Sequence, residues 1–383
     1  MDRKNTVRRR SPQSLLLMLL LSGSLLMVTS CRNTSSPQPE SNIEPNPENR
    51  LIVADAVLEQ SDANGQILWK LQAKEAIYSQ DRKAADVTGI VGNLYADGKI
   101  ILSLKADEGR IINDGERVIL RKNIIVTDDR YGAVLEASEA EWQPAEYLLT
   151  ISADLKGKYP NGQFSATKGQ YFIDRQELEL EEEVKAIAVK PALQLQSKKI
   201  KWQLAEEIIT VEEGLELQEY TEEKITARLQ AEQGKILLAE EKLVIKGNVL
   251  LNNLQPNVQF ASGEAAWNLV TDIITGKGGV QITDNKEKIQ FRGDTGIFNI
   301  KTQQTNLVGA VRGVGKKPPA SLSATKLDWN IETQNLLAQG NVVYERQDPR
   351  LTLKGDRAVG RLQQNTLVVS GTKGQQVITE VIP

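Results

Sequence analysis

Ten times along this chain of 383 residues a large apolar residue stands two positions before a small one, at nearly constant spacing. The small residues are Ala73, Ala106, Ala137, Ala166, Ser197, Ala231, Ser262, Gly293, Ala324 and Gly355, separated by 33, 31, 29, 31, 34, 31, 31, 31 and 31 positions. The apolar partners are Leu71, Leu104, Leu135, Phe164, Leu195, Leu229, Phe260, Phe291, Leu322 and Leu353. A fixed period of this length constrains the fold more than any local propensity does. Each unit is too small to bury its apolar face alone, so neighbours must stack and share one continuous core.

Other registers keep the same phase. An aliphatic follows eighteen residues after the small one: Val91, Ile124, Leu155, Val184, Leu215, Val249, Val280, Val311 and Val342, with Lys373 in the last unit. Five after it stands a bulky residue in nine units, among them Trp142, Trp202, Trp267 and Trp329. Glycine recurs sixteen or seventeen after it, and Pro160, Pro191, Pro256, Pro318 and Pro349 stand six before it.

Around each small residue the apolar positions alternate, as in Ile225-Ala227-Leu229-Ala231 or Val258-Phe260-Ser262. Alternation with period two marks a strand with one buried face. Turn formers such as Asn113-Asp114-Gly115 and Pro160-Asn161-Gly162 separate the runs,. The pattern predicts an all-β array of about ten two-strand units over 51–383, about twenty strands in all,. The phase never resets. The 34-residue step before Ala231 makes a weak seam near 219–224.

The first thirty residues form a different signal. Arg3, Lys4, Arg8, Arg9 and Arg10 precede an apolar run from Leu15 to Val28, short for a membrane span and suited to a signal-peptide core,. Val28-Thr29-Ser30-Cys31 resembles a bacterial lipobox, which makes Cys31 a candidate for lipidation; an uncleaved anchor is the other reading. As the only cysteine, Cys31 has no intramolecular disulfide partner,. Residues 31–49 hold four prolines among Ser, Asn, Gln and Glu and read as a linker,. Extended at about 3 Å per residue, it reaches on the order of 50 Å.

Most chemistry is excluded. The chain has no histidine, which removes the usual neutral-pH acid–base group and histidine metal sites,. One cysteine excludes thiolate zinc clusters,. Acidic neighbours such as Asp107-Glu108 and Asp128-Asp129 read as coincidental in so acidic a body. Without residues 1–30, which hold five Lys/Arg and one Asp/Glu, 42 basic residues face 49 acidic ones, a net charge of −7. Such a surface is a poor partner for nucleic acid. No enzyme, cofactor or metal site is expected. The tryptophans, recurring in every second unit, read as packing between units, with a sugar-binding ladder as the other use,.

An N-terminal anchor, a linker and two-strand units of this pattern, clearest from Phe260 to Val280 and from Leu322 to Val342, resemble the LptC/LptA group of lipopolysaccharide transport proteins. The resemblance implies an extended OstA-like antiparallel β-jellyroll, an open V of two sheets holding acyl chains between them. It also implies a plasma-membrane position on the periplasmic side and three partners besides the membrane: lipopolysaccharide, an inner-membrane ABC exporter, and a further jellyroll bridge protein added at an edge strand. The ten apolar partners above, with Val249, Val280, Val311 and Val342, are then expected to line the groove. The body is longer than one usual LptC jellyroll, and Arg32 follows the cysteine in place of the aspartate of inner-membrane lipoproteins. A structural or adhesive surface lipoprotein needs only the repeat and the tether, and is the alternative.

Overall fold

The computed structural model describes residues 50–316, 319–364 and 366–371, together with the backbone of 378–381. The expected signal peptide, the linker and Cys31 lie outside the described residues, as does Lys373. Among the described residues there are 26 strands, three short 3-10 turns and no α-helix. Every paired strand is antiparallel, and each pairs chiefly with its sequence neighbours. The count exceeds the expected twenty because several passes of the chain are cut in two. Leu148–Ala153 and Leu155–Tyr159 are one pass broken at Asp154, and Ile208–Glu213 and Leu215–Thr221 are another broken at Gly214.

The uncut passes carry the same irregularity in milder form. In the pair Lys242–Leu254 with Asn257–Asn268, the register shifts between Lys246 and Val249, so Gly247 and Asn248 bulge against one residue of the partner. Equivalent shifts recur at Lys277/Val280, Val308/Val311 and Gln339/Val342. A β-bulge of this kind bends its strand. Repeated at one phase, the bulges fold the sheet along a line, and each pass contributes one half to each of two facing layers. The phased glycines Gly247, Gly278, Gly309 and Gly340 sit on that line with φ of 77° to 81°, a region that favours glycine,. A Cβ on Gly309 would lie 2.3 Å from the Asp294 carboxylate of the neighbouring pass.

Each layer ends in a row of turns. Four-residue turns such as 269–272, 300–303 and 331–334 close one rim, and their last residues Asp272, Gln303 and Gln334 all have positive φ. The other rim carries 129–132, 285–288 and the tight turn at Gln255-Pro256. Lys190-Pro191, Gln255-Pro256 and Asp348-Pro349 are cis. Phased proline therefore marks this second rim.

Candidate functional site

The inner faces of both layers are apolar from end to end. Leu71, Leu104, Leu135, Phe164, Leu195, Leu229, Phe260, Phe291 and Leu322 are all buried there, as are Val249, Val280, Val311 and Val342. Leu353 is only half-buried, near the C-terminal end of the array. Among the repeat-phase aliphatics, Val91 breaks the pattern. It is exposed at 36 %, and its neighbour Ile90 takes the inward place at 1 %. The pair Ile67–Tyr78 with Ala84–Ala96 lacks the extra bulge residue of the later units, since two residues face two between Gln72↔Val91 and Glu75↔Thr88, and in a strand a difference of one turns a side chain to the other face,.

The lining is continuous, but its filling varies along the array. In the C-terminal half the side chains interlock: Trp267, Phe298, Leu307, Leu327 and Trp329 are fully buried. Aromatic edges span the two layers, with Phe291 and Trp329 centroids 4.9 Å apart, Phe164 and Trp202 at 5.9 Å, and Trp69 and Trp142 at 5.9 Å. Sugar-binding ladders present aromatic faces to solvent; these indoles are packing groups,. In the middle, around the cut passes, the layers leave a cavity of about 280 Å³. Its walls are apolar, including Phe164, Ile187, Leu195, Trp202, Leu217 and Ile236, with Glu207, Glu241 and Lys190 at the edge. A smaller space of about 100 Å³ lies among Phe291, Leu322, Tyr344 and Leu367.

Two polar contacts join the rims across this interior. At one, Asp128 is buried at 2 % and pairs with Arg130 Nη2 at 2.6 Å. The Tyr171 hydroxyl, from the opposite rim, donates to the same carboxylate and accepts from Arg130 Nη2 at 3.2 Å. Burial, reinforced by the Asp128 charge, holds the Tyr171 phenol well above its ordinary range. Beside it the Tyr131 hydroxyl donates to Gln176. At the other contact, Gln334 Nε2 donates to Asp284 Oδ2 at 2.7 Å, with both residues buried. Asp128 is thus a buried pairing residue, whereas Asp129 beside it is exposed.

Sequence reasoning missed these contacts, although their phase was readable. Asp128 and Asp284 both stand nine residues before a small repeat residue, and Gln176 and Gln334 both stand ten after one. Among the described residues no group of three or more acidic or cysteine side chains is placed to hold a metal ion. No described helix is long and apolar enough to cross a membrane.

The family model described as lipopolysaccharide-assembly, LptC-related, matches residues 15–189 and 189–316. No curated protein matches the chain. Among solved structures the chain is similar to LptH of Pseudomonas aeruginosa, described as the LptA-homologous periplasmic component of the lipopolysaccharide transport device. That similarity has 11 % identity, covers 41 % of this chain and 95 % of that one, and has a TM-score of 0.25.

Proposed function

From the chain's membership of the LptC-related lipopolysaccharide-assembly family, we propose that it is a membrane-tethered periplasmic carrier in lipopolysaccharide export. It shelters acyl chains between its two layers and passes lipid from an inner-membrane ABC exporter toward the outer membrane. The observation that carries this reading is the apolar inner face from Leu71 to Leu322, widened in the middle into the 280 Å³ cavity. Each acyl methylene removed from water is worth about 0.8 kcal/mol, so a multi-chain lipid needs such cover throughout its transit. Equivalent lining in successive units gives successive positions similar affinity, so movement along the array costs little net free energy. Direction has to come from an energised partner.

The first strand, Ile52–Ser61, pairs on one side only among the described residues. Its outer edge offers the backbone groups to which another jellyroll adds a strand. Cys31, acylated, or the apolar segment before it would hold the array at the plasma membrane.

A photoreactive residue at Phe260 or Leu322 tests the reading in cells. Lipopolysaccharide adducts that accumulate only with ATP are expected. Adducts to protein alone would favour a structural surface lipoprotein instead.

A further inference from the structure

The two aspartates of these rim contacts occupy equivalent places in the repeat, and the contacts lie on either side of the central cavity. Asp128 and Asp284 end strands of one rim, and their partners Tyr171 and Gln334 belong to the other. The two carboxylates divide their oxygens in the same way. Asp128 Oδ1 accepts from the Arg130 amide at 3.0 Å, and Asp284 Oδ1 accepts from the Lys286 and Glu287 amides at 2.9 and 3.1 Å. In each, Oδ1 holds its own turn and Oδ2 accepts from the opposite rim, the Asp128 Oδ2 accepting from Arg130 of its own turn as well. Asn253 stands at the same phase between them, but its amide donates to Pro256 O, within its own turn. The cavity-lining residues run from Tyr159 to Leu269, in the passes between the two contacts.

We propose that these contacts are paired clasps that hold the rims together and set the rate at which the central cavity opens. This takes the interior as the working site, as in the function proposed above. Apolar packing between layers has no direction and tolerates sliding, whereas a buried carboxylate is costly unless paired. A clasp therefore gives the rims one closed position and a discrete open one. Gln334 is built for reversible closure. Its Nε2 also donates to Ile331 O at 2.6 Å, so the side chain stays ordered when Asp284 leaves, and its buried Oε1 has no partner in the closed state. The clasps break the apolar regularity of the array at two points, where a lipid moving along it would have to part the rims.

The test reads opening without any lipid. In the full-length chain with Cys31→Ser, Leu195→Cys places a thiol in the cavity wall, and its alkylation by N-ethylmaleimide reports access. Adding Gln334→Ala is expected to raise the alkylation rate about tenfold, the equivalent of about 1.4 kcal/mol. Asp284→Asn is expected to raise it as well, because an amide nitrogen in place of Oδ2 faces the Gln334 Nε2 donor. A thiol at Leu120→Cys, buried outside the cavity wall, should keep its rate in both backgrounds. An unchanged rate at Leu195→Cys with Gln334→Ala overturns the proposal. So does an equal rise at Leu120→Cys, which would mean general loosening. The carrier reading stands or falls separately, on lipid adducts at Phe260.

Discussion

Trp142, Trp202, Trp267 and Trp329 each bury an indole N–H that has no acceptor, whereas Trp69 donates to Gln60 Oε1 at 2.8 Å. The four interior indoles therefore contribute by shape and area. Trp329→Phe should cost less than about 1.5 kcal/mol, and Trp329→Ala about 3–5 kcal/mol, both read by urea unfolding. A larger loss for the phenylalanine variant would reveal a missed hydrogen bond. Glycines make room for the phenylalanines of the lining. A Cβ on Gly313 would lie 2.2 Å from the Phe291 ring of the adjacent strand. Gly313→Ala should destabilise by about 1–3 kcal/mol through overpacking, and Phe291→Leu should relieve part of that loss in a double-mutant cycle. Tyr171 adds a pH effect. Its phenol is raised in the folded protein, so its stabilisation is complete below the unfolded value of about 10 and is lost as pH rises above it,. The fall in stability between about pH 10 and 12 should be shallower in Tyr171→Phe than in the parent. Parallel curves would mean that the phenol ionises alike in both states.

The strand is where the bulge line matters. The second corner residue is Asn123, Asn248 and Asn341 in three passes, Gly279 in another and Ala310 in one, all at positive φ. Alanine lacks the local hydrogen bonding that lets asparagine occupy this region, which costs other side chains about 1–2 kcal/mol. Ala310→Asn is therefore expected to stabilise the chain by about 1 kcal/mol, seen as a higher melting temperature with the same unfolding slope. A destabilised variant would show that the corner is held by packing instead. The cut passes differ from the uncut ones. Gly162–Ala166, Lys168–Phe172 and Gln233–Leu237 are five residues each, against 12 or 13 for Lys242–Leu254, Asn257–Asn268 and Pro319–Asn330. Short strands next to a cavity open more easily than long ones locked by tryptophan.

Across the whole array that difference becomes a gradient. Units touch mainly their neighbours, so protection can differ from unit to unit along the array. Amide hydrogen exchange should be slowest from Lys242 to Asn330 and measurably faster from Gly162 to Leu237, around the cavity. Uniform protection would argue that the array opens as one cooperative body and that the middle has no special role. A soft centre between stiffer regions suits a carrier whose interior must part and reclose.

Much of this was legible in the residues themselves. The 31-residue period, the alternation around each small residue and the phased glycines and prolines determined the strands, their order and the inward face, because each reflects a backbone or burial requirement local to one unit. Val91 keeps the phase of the later aliphatics but not their face, because its strand pair lacks their extra bulge residue, and spacing alone does not show where a bulge is absent,. What tertiary structure alone decided is how the two layers meet: which units interlock, where the cavity remains, and that Asp128 finds Tyr171 and Asp284 finds Gln334. Those pairings join residues more than 40 positions apart. They depend on the twist and offset of one layer over the other, and no repeat of a single strand pair encodes that offset.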